Sequence, residues 1–281
     1  MKICRTIEEM KSFIRAAKSS GNTIGLVPTM GYFHEGHLSL MCLARQDCQV
    51  VVVSLFVNPT QFGPNEDFAD YPRDFDRDVD MAAGVGVDAI FAPAPEEMYP
   101  QGYRTYVEVE EITTSLCGRS RPGHFKGVAT VVNKLFNIVE PDKAYFGQKD
   151  AQQVLVIKQM VKDLNMNLEI VQGPIVREYD GLALSSRNVY LSFQERSAAT
   201  VLYRSLQGAK EAIDKGERNV SRVRLQMKEQ INSEPLAEID YVEILSIPDL
   251  QPLEVLQGRV LIALAVRFGK TRLIDNTIVE V

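Results

Sequence analysis

Residues 25–37 read Gly-Leu-Val-Pro-Thr-Met-Gly-Tyr-Phe-His-Glu-Gly-His, and this stretch decides what we expect of the fold. It begins inside a short apolar run, residues 23–27, whose length and flanking Gly and Pro are typical of a strand buried in a parallel sheet. A loop follows, and apolar residues at helical spacing resume after Gly36. His34 and His37 are therefore expected where a strand has ended and a helix begins.

That position indicates a phosphate site. In an open α/β sheet, ligands bind beyond the carboxyl ends of the strands. A helix start also presents unpaired N–H groups and partial positive charge to an anion. Two imidazoles three residues apart, His34 and His37, can face the same phosphate group. The stretch therefore predicts binding of a nucleotide through its phosphates.

Two other interpretations of the histidines stay open on spacing alone. A histidine near a helix start is often only a cap or a satisfied surface group. Zinc is disfavoured because the protease pattern needs His at i and i+4, whereas His34 and His37 are at i and i+3. The chain has a single further histidine, His124, and its cysteines do not cluster, so a metal cage is not expected.

Length and composition are those of an ordinary soluble enzyme with small substrates. The chain has 281 residues, enough for one large domain or two, and is 45% hydrophobic and 24% charged. No apolar run approaches the ~20 residues that cross a bilayer, and residues 1–5 show no signal-peptide core. The four unclustered cysteines predict reduced thiols and a cytoplasmic location. A net charge of −6 disfavours a nucleic-acid partner.

Strands and helices are expected to alternate along the first two thirds of the chain. Helices are predicted at 7–19, from 36 to about 46, and at 74–83, 125–139 and 151–164; further strands at 50–57, 88–92, 143–146 and 168–171; and a loop at 58–65. This alternation predicts an α/β fold with a doubly wound parallel sheet. Because residues 147–150 also follow a strand and precede a helix, they are expected at the same sheet edge as His34.

The alternation weakens after residue 174, and a domain boundary is predicted near Val176. Helices at 194–216 and 220–233 and strands at 238–245, 259–268 and 271–281 predict a smaller α+β C-terminal domain. The expected domains are thus residues 1–175 and 176–281.

Four further groups of residues could carry chemistry, and three of them have a structural alternative. In Gly147-Gln148-Lys149-Asp150 the Gly allows close approach, the Lys can neutralise a phosphate, and the Asp can accept from ribose hydroxyls; such a turn can equally be solvated. Ser185-Ser186-Arg187 could clamp phosphates or cap a helix. Gln61 and Gln153 could orient a small polar substrate. Asp74, Asp76, Asp78 and Asp80 could bind a divalent ion, although such a run is usually a solvated helix face.

The combination of motifs is more specific than any one of them. A His-x-Gly-His after a strand with a late Ser-Ser-Arg cluster resembles the HIGH and KMSKS pair of the nucleotidylyltransferase superfamily, whose fold is Rossmann-like. The ordered motifs at 27–37, 56–62, 121–125, 145–150, 181–188 and 272–276 resemble the pantoate–β-alanine ligase family over essentially the whole chain. In one departure from that family's usual pattern, Arg267-Phe268-Gly269 stands where a Trp often precedes the Gly. That position is remote from the residues assigned to chemistry, so the departure concerns packing rather than activity.

The resemblance implies an ATP-dependent amide synthesis in two steps. The carboxylate of D-pantoate attacks the α-phosphorus of ATP, with Mg²⁺ assisting, and gives pantoyl adenylate and pyrophosphate. The amine of β-alanine then attacks the adenylate and releases AMP and pantothenate. The resemblance also implies a homodimer formed through the first domain, and residues 176–281 acting as a lid over ATP with a hinge near Val176.

The resemblance also assigns roles residue by residue. The ATP site would comprise Met30, His34, His37, Gly147, Gln148, Lys149, Asp150, Val176, Leu184, Ser185, Ser186 and Arg187. Among these, His37 would be the proton donor, Lys149 would stabilise the α-phosphate, and Arg187 would grip the pyrophosphate. Gln61, Gln153 and Met30 would bind pantoate, with β-alanine entering near Gln61. Asp78 is the candidate Mg²⁺ ligand. No role is assigned to His124 or to the loop 121–127.

Three competing functions can be separated from this one. An adenylyltransferase of the same superfamily would leave a stable adenylylated product. A tRNA synthetase fragment or RNA-binding module is disfavoured by the acidity, the length and the lack of an anticodon-binding region. An ATP-binding regulator would not be expected to keep His34, His37 and Lys149.

Overall fold

A parallel sheet of six strands forms the centre of the structure, a computed structural model that describes residues 1–64 and 66–281. Asn65, in the loop predicted for 58–65, lies outside the described residues. The parallel strands are β1 (Lys2–Cys4), β2 (Ile24–Thr29), β3 (Val50–Leu55), β4 (Ala89–Phe91), β5 (Lys143–Gly147) and β6 (Glu169–Gly173). An antiparallel sheet contains β7 (Ala237–Ser246), β8 (Arg259–Phe268) and β9 (Thr271–Glu280).

The helices connect these strands and cover their faces. They are α1 (Ile7–Ser19), α2 (Glu35–Asp47), α3 (Phe75–Gly84), α4 (Pro95–Met98), α5 (Leu116–Ser120), α6 (His124–Val139), α7 (Ala151–Asp163), α8 (Phe193–Ala198), α9 (Val201–Asp214) and α10 (Val220–Asn232). Short 3-10 turns lie at Pro59–Gln61, Gln148–Asp150 and Ser186–Tyr190. Within the described residues, no helix has both the length and the apolar character required to span a membrane.

The order of the parallel sheet, β1-β4-β3-β2-β5-β6, creates a switch point beside β2. The chain runs from β2 through β3 and β4 toward one edge, then returns to place β5 on the other side of β2. Ligands bind at such a reversal, at the carboxyl ends of the strands. The predicted doubly wound sheet is confirmed, and residues 34–37 and 147–150 follow the two strands that flank the switch point.

The structure corrects three details of the predicted elements. β1, which pairs with β4, was not predicted, because a three-residue strand gives too short a pattern to recognise. β2 continues through Pro28 to Thr29, since its pairing with β5 has already ended at Leu26 and that side needs no N–H from the proline. The helix predicted at 194–216 is divided into α8 and α9, where the Thr200 hydroxyl donates to the Ser197 carbonyl at 2.8 Å and tightens the turn.

The antiparallel sheet buries both of its faces. Along β8, Val260, Ile262, Leu264 and Val266 belong to a core shared with α9 and α10, whereas Leu261, Ala263 and Ala265 belong to the core that contains α6 and α7. The period of two explains why β8 is an almost continuous apolar run. The predicted smaller α+β region is confirmed, and its sheet packs directly against the first part of the chain.

Candidate functional site

A cavity of about 210 Å³ opens at the carboxyl ends of β2 and β5. It brings together most of the residues that were predicted for the site from separate parts of the sequence. These are Met30, His34, His37, Gln61, Gly147, Lys149, Asp150, Gln153, Val176, Leu184, Ser185, Ser186 and Arg187. Gln148 and Asp78 are predicted site residues that do not line it.

The two histidines of the cavity are held by the first turn of α2. His34 is the N-cap residue, and its Nδ1 accepts the Gly36 N–H at 3.1 Å. His37 Nδ1 accepts the His34 N–H at 3.3 Å, so both rings take part in a capping box. Because each Nδ1 is an acceptor, Nε2 is the nitrogen that carries the proton in each neutral ring. The ring centroids lie 4.1 Å apart, which makes the rings a pair of adjacent N–H donors.

Burial keeps both rings uncharged near neutral pH. Burial and the neighbouring Lys149 cation lower the pKa of His34 from 6.5 to about 4. Burial, and to a smaller extent the neighbouring His34, lowers the pKa of His37 well below its usual range. The two imidazoles therefore contribute hydrogen bonds rather than positive charge to an anion in the ground state.

Lys149 lies on the turn after β5 and lines the same cavity as the histidines. Its Nζ is 3.6 Å from the Asp150 carboxylate. The backbone of the turn is fixed from the antiparallel sheet, since Asn276 Nδ2 donates to the carbonyls of Gln148 and Lys149 at 2.9 and 3.0 Å. The Gln148 side chain reaches Asn276 Oδ1 at 3.4 Å, which accounts for its position outside the cavity.

The cluster Ser185-Ser186-Arg187 caps a turn and also lines the cavity. Ser185 Oγ accepts the Arg187 N–H at 3.3 Å and so caps a 3-10 turn. Ser186 Oγ donates to the Tyr32 carbonyl at 3.2 Å, tying the cluster to the loop before α2. The Arg187 guanidinium forms a two-pronged ion pair with Asp67, at 2.8 Å for both hydrogen bonds. A phosphate bound by Arg187 must therefore share it with Asp67 or displace that carboxylate.

Gln61 also lines the cavity, and its side-chain amide is held by two neighbours. Its Oε1 accepts from Asn58 Nδ2 at 3.1 Å, and its Nε2 lies 3.1 Å from the Met30 sulfur. Asn58 also lines the cavity, as does the buried Tyr71 below Arg187. Neither was predicted as a site residue. Asn58 lies inside the motif at 56–62, but an Asn at the end of a strand is also ordinary loop chemistry.

Asp78 acts on the loop that carries the histidines. Its two carboxylate oxygens accept the N–H groups of Tyr32 and Phe33, each at 2.6 Å. Gly31 and Tyr32 have φ values of 90° and 52°, so the carboxylate holds a left-handed turn that is costly for Tyr32. This placement does not suit the Mg²⁺ role predicted for Asp78. Across residues 1–64 and 66–281, no three or more His, Cys, Asp or Glu side chains are grouped to hold a metal ion.

Proton linkage at the histidines predicts the pH dependence of stability. Burial and the neighbouring Arg121 also lower the pKa of the third histidine, His124, to about 4. Below pH 6.5 the unfolded chain binds protons at sites that stay neutral when folded. The free energy of unfolding is thus expected to fall between pH 6.5 and 4, by up to ~1.4 kcal/mol per pH unit for each histidine.

This expectation can be measured by urea unfolding from pH 7 to pH 5. His34→Asn keeps a side chain that can cap the helix. It should reduce the dependence of the unfolding free energy on pH by the contribution of one histidine. An unfolding free energy that stays constant over this range would contradict the depressed histidine pKa values.

Comparison with known proteins agrees with the sequence resemblance. Residues 2–278 match the family model for pantoate-beta-alanine ligase. A protein from Pelotomaculum thermopropionicum named pantothenate synthetase is 62% identical over 99% of both chains. One of the same name from Acetivibrio thermocellus is 61% identical over the whole of both chains.

Solved structures show the same similarity. The crystal structure of pantothenate synthetase from Thermus thermophilus superposes with a TM-score of 0.94, at 46% identity over 99% of both chains. That of a pantoate-beta-alanine ligase from Francisella tularensis, complexed with beta-gamma ATP and beta-alanine, gives a TM-score of 0.80 at 37% identity, over 99% of this chain and 97% of that one. With its fold, its cavity and its full-length similarity all in agreement, the chain belongs to the pantoate–β-alanine ligase family.

Proposed function

We propose that this chain joins D-pantoate to β-alanine at the expense of ATP, giving pantothenate, AMP and pyrophosphate through a pantoyl adenylate. Membership of the ligase family makes the chain an enzyme of this class. The observation that carries the proposal is the cavity at the switch point. It combines paired neutral imidazoles and a lysine, suited to phosphate, with a fixed glutamine amide, suited to a small polar acid.

The first step makes pantoate a better acyl donor. A carboxylate would have to expel oxide, whereas its adenylate expels AMP. As the pantoate oxygen attacks the α-phosphorus, negative charge grows on the phosphate oxygens. The Nε2–H groups of His34 and His37 would donate hydrogen bonds to these oxygens. The role of proton donor that the resemblance assigns to His37 would require its imidazolium form, which the growing negative charge on the phosphate would favour. The Lys149 ammonium would face the α-phosphate, and Arg187, with Ser185 and Ser186, would hold the departing pyrophosphate.

The rest of ATP would lie along residues 174–184, which follow β6 and which we call the strap. Gly147 and Asp150 would hold the ribose. Leu184 N–H donates to the Val176 carbonyl at 3.0 Å. The Val176 N–H and the Leu184 carbonyl, which have no partner among the described residues, would bind adenine. Residues 176–281 would act as a lid over the nucleotide, hinged near Val176.

Pantoate would lie at the Gln61 end of the cavity. The amides of Gln61 and Gln153 would bind its hydroxyl and carboxyl groups, and Met30 would contact its methyl groups. The β-alanine amine would then enter near Gln61 and attack the acyl carbon, releasing AMP. Val128, Val131 and Leu135 of α6 line the same space, and an apolar wall excludes water that would hydrolyse the adenylate.

We propose that Mg²⁺ enters with ATP as part of the substrate. The described residues provide no carboxylate cluster for it, and both oxygens of Asp78 are already used by backbone N–H groups. Phosphate oxygens and water are common Mg²⁺ ligands in such sites.

The structural role of Asp78 can be tested against its metal role with Asp78→Asn. The amide NH₂ of the variant would face a backbone N–H, so the free energy of unfolding should drop by ~1–3 kcal/mol. The Mg²⁺ concentration for half-maximal activity should not change. Asp80→Asn, at an exposed position of α3, is the matched control. An unchanged stability together with a raised Mg²⁺ requirement would instead support Asp78 as a metal ligand.

We further propose a cytoplasmic homodimer formed through residues 1–175, as the family resemblance implies. Light scattering should then give twice the chain mass of 31.5 kDa. A monomer at micromolar concentration would contradict the dimer.

The proposed function is tested by pyrophosphate release from ATP, Mg²⁺ and D-pantoate, with and without β-alanine. A single-turnover burst without β-alanine that becomes steady AMP production with it would establish adenylation followed by amide formation. A stable adenylylated product that β-alanine does not consume would support an adenylyltransferase. No pyrophosphate in either case would overturn the substrate assignment.

A further inference from the structure

We propose that Arg121 and His124 are positioning residues that fix Gln61 for binding of the acid substrate. This inference rests on the proposed function for the identity of that substrate. Neither His124 nor Arg121 lines the main cavity. Both line an adjoining cavity of about 80 Å³ that shares Lys149, Asp150, Gln153, Ser185 and Arg187 with the main one, and their contact with Gln61 is through its backbone carbonyl.

Two donors converge on the backbone carbonyl of Gln61. His124 Nδ1 lies 2.9 Å from this oxygen, and Arg121 Nη2 lies 3.3 Å from it. Gln61 ends a 3-10 turn of three residues, whose own hydrogen bond from Gln61 N to the Asn58 carbonyl is long, at 3.4 Å. A turn of this length is weak by itself, so the two side chains determine where it lies.

The network behind these donors fixes the protonation of His124. A carbonyl accepts only, so Nδ1 must carry the proton, and Nε2 accepts from Arg121 Nη1 at 3.1 Å. Arg121 is itself anchored to Glu66 by two hydrogen bonds of 2.6 Å. His124 therefore carries its proton on the opposite nitrogen from His34 and His37.

The start of α6 holds the same turn from another side. Asn58 Nδ2 donates both to the Gly127 carbonyl, at 3.2 Å, and to Gln61 Oε1. A Cβ at Gly127 would lie 2.4 Å from the Thr60 carbonyl oxygen, so the helix backbone and the turn are in direct contact. Oε1 of Gln61 accepts from Asn58, and Nε2 directs one N–H to the Met30 sulfur, so the second N–H of Nε2 is the group that would bind the substrate.

The test compares His124→Ala with His124→Asn in the full chain. The Asn amide nitrogen can take the place of Nδ1–H, so it should restore the bond that alanine removes. We expect His124→Ala to raise the KM for D-pantoate by about tenfold, with the KM for ATP within about twofold of the original, and His124→Asn to recover most of that loss. Arg121→Lys, which keeps a cation beside Glu66 but loses the fork, should fall between them.

A second measurement does not depend on turnover. The ¹⁵N shifts of His124 in the unsubstituted chain should show a protonated Nδ1 and an unprotonated Nε2. Equal changes in both KM values, or a His124→Asn variant no better than His124→Ala, would overturn the positioning role. A protonated Nε2 would overturn the network itself. If His124→Ala does not fold, His124→Asn and Arg121→Lys decide the matter. Absence of pantoate-dependent turnover in the unsubstituted chain would be a failure of the proposed function, and the ¹⁵N result would still judge the network.

Discussion

Replacing Lys149 by alanine is expected to lower pantoyl adenylate formation by ~10²–10³-fold, the usual cost of removing one preorganised contact to a transition state. The reason lies in how charge is distributed around the cavity. His34 and His37 are neutral, and Arg187 is already paired with Asp67. Lys149, 3.6 Å from Asp150, is the cation with the weaker existing ion pair. In the proposed mechanism, its loss would remove positive charge where the α-phosphate gains negative charge.

The measurement is single-turnover pyrophosphate release, with thermal unfolding as a check on the fold. Lys162→Ala, an exposed lysine near the end of α7, is the matched control and should retain full activity. His37→Ala should show a loss of similar size. A Lys149→Ala enzyme that formed adenylate at a near-normal rate would remove Lys149 from the mechanism.

Arg187→Ala would be harder to interpret. Removing the guanidinium also leaves the Asp67 carboxylate uncompensated beside the proposed pyrophosphate position, so any loss of rate would combine a missing cation with a new repulsion. Asp67 was not recognised from the sequence, because it is 120 residues from its partner. Lys149 therefore gives the cleaner test.

Features encoded within a few neighbouring residues could be predicted from the sequence, whereas contacts between residues far apart in the chain could not. The doubly wound sheet followed from local patterns, since apolar runs and Gly or Pro boundaries are written within a few residues. The site residues His34, Lys149 and Arg187 followed from motifs that each occupy one short segment. The contacts of Asp78 were not predicted, because its carboxylate accepts from N–H groups 45 and 46 residues earlier in the chain.

The contacts that residues of the antiparallel sheet make with distant residues could not be predicted from the sequence either. The motif at 272–276 was noticed, but its function was not. In the structure Asn276 holds the backbone of Lys149, 127 residues away. Asp275 accepts from Arg177 in the strap at 2.6 and 3.0 Å. Such pairings depend on how β9 packs against the rest of the fold, and no local pattern in the sequence predicts them.

Loss of Asp275 is expected to be the most destabilising change in this part of the protein. Its carboxylate is 1% exposed, and the Arg177 side chain 19% exposed. Removing one partner of a buried ion pair leaves the other charge without compensation, and Asp275→Ala should lower the free energy of unfolding by ~3–5 kcal/mol. Urea unfolding measures this directly. Glu8→Ala, which breaks an exposed pair with Arg15, should cost no more than ~1 kcal/mol.

A double variant, Arg177→Met with Asp275→Leu, separates charge burial from simple loss of contacts. If the uncompensated charge causes the instability, the apolar pair should recover most of the lost stability. It should not recover ATP binding, because Arg177 also donates to the Gly181 carbonyl at 3.0 Å and stacks on Tyr203, which together shape the strap proposed to hold adenine. Stability restored without nucleotide affinity would show that the ion pair serves the site as well as the fold. An Asp275→Ala cost below ~1 kcal/mol would instead mean that water reaches Arg177 and that the pair behaves as a surface one.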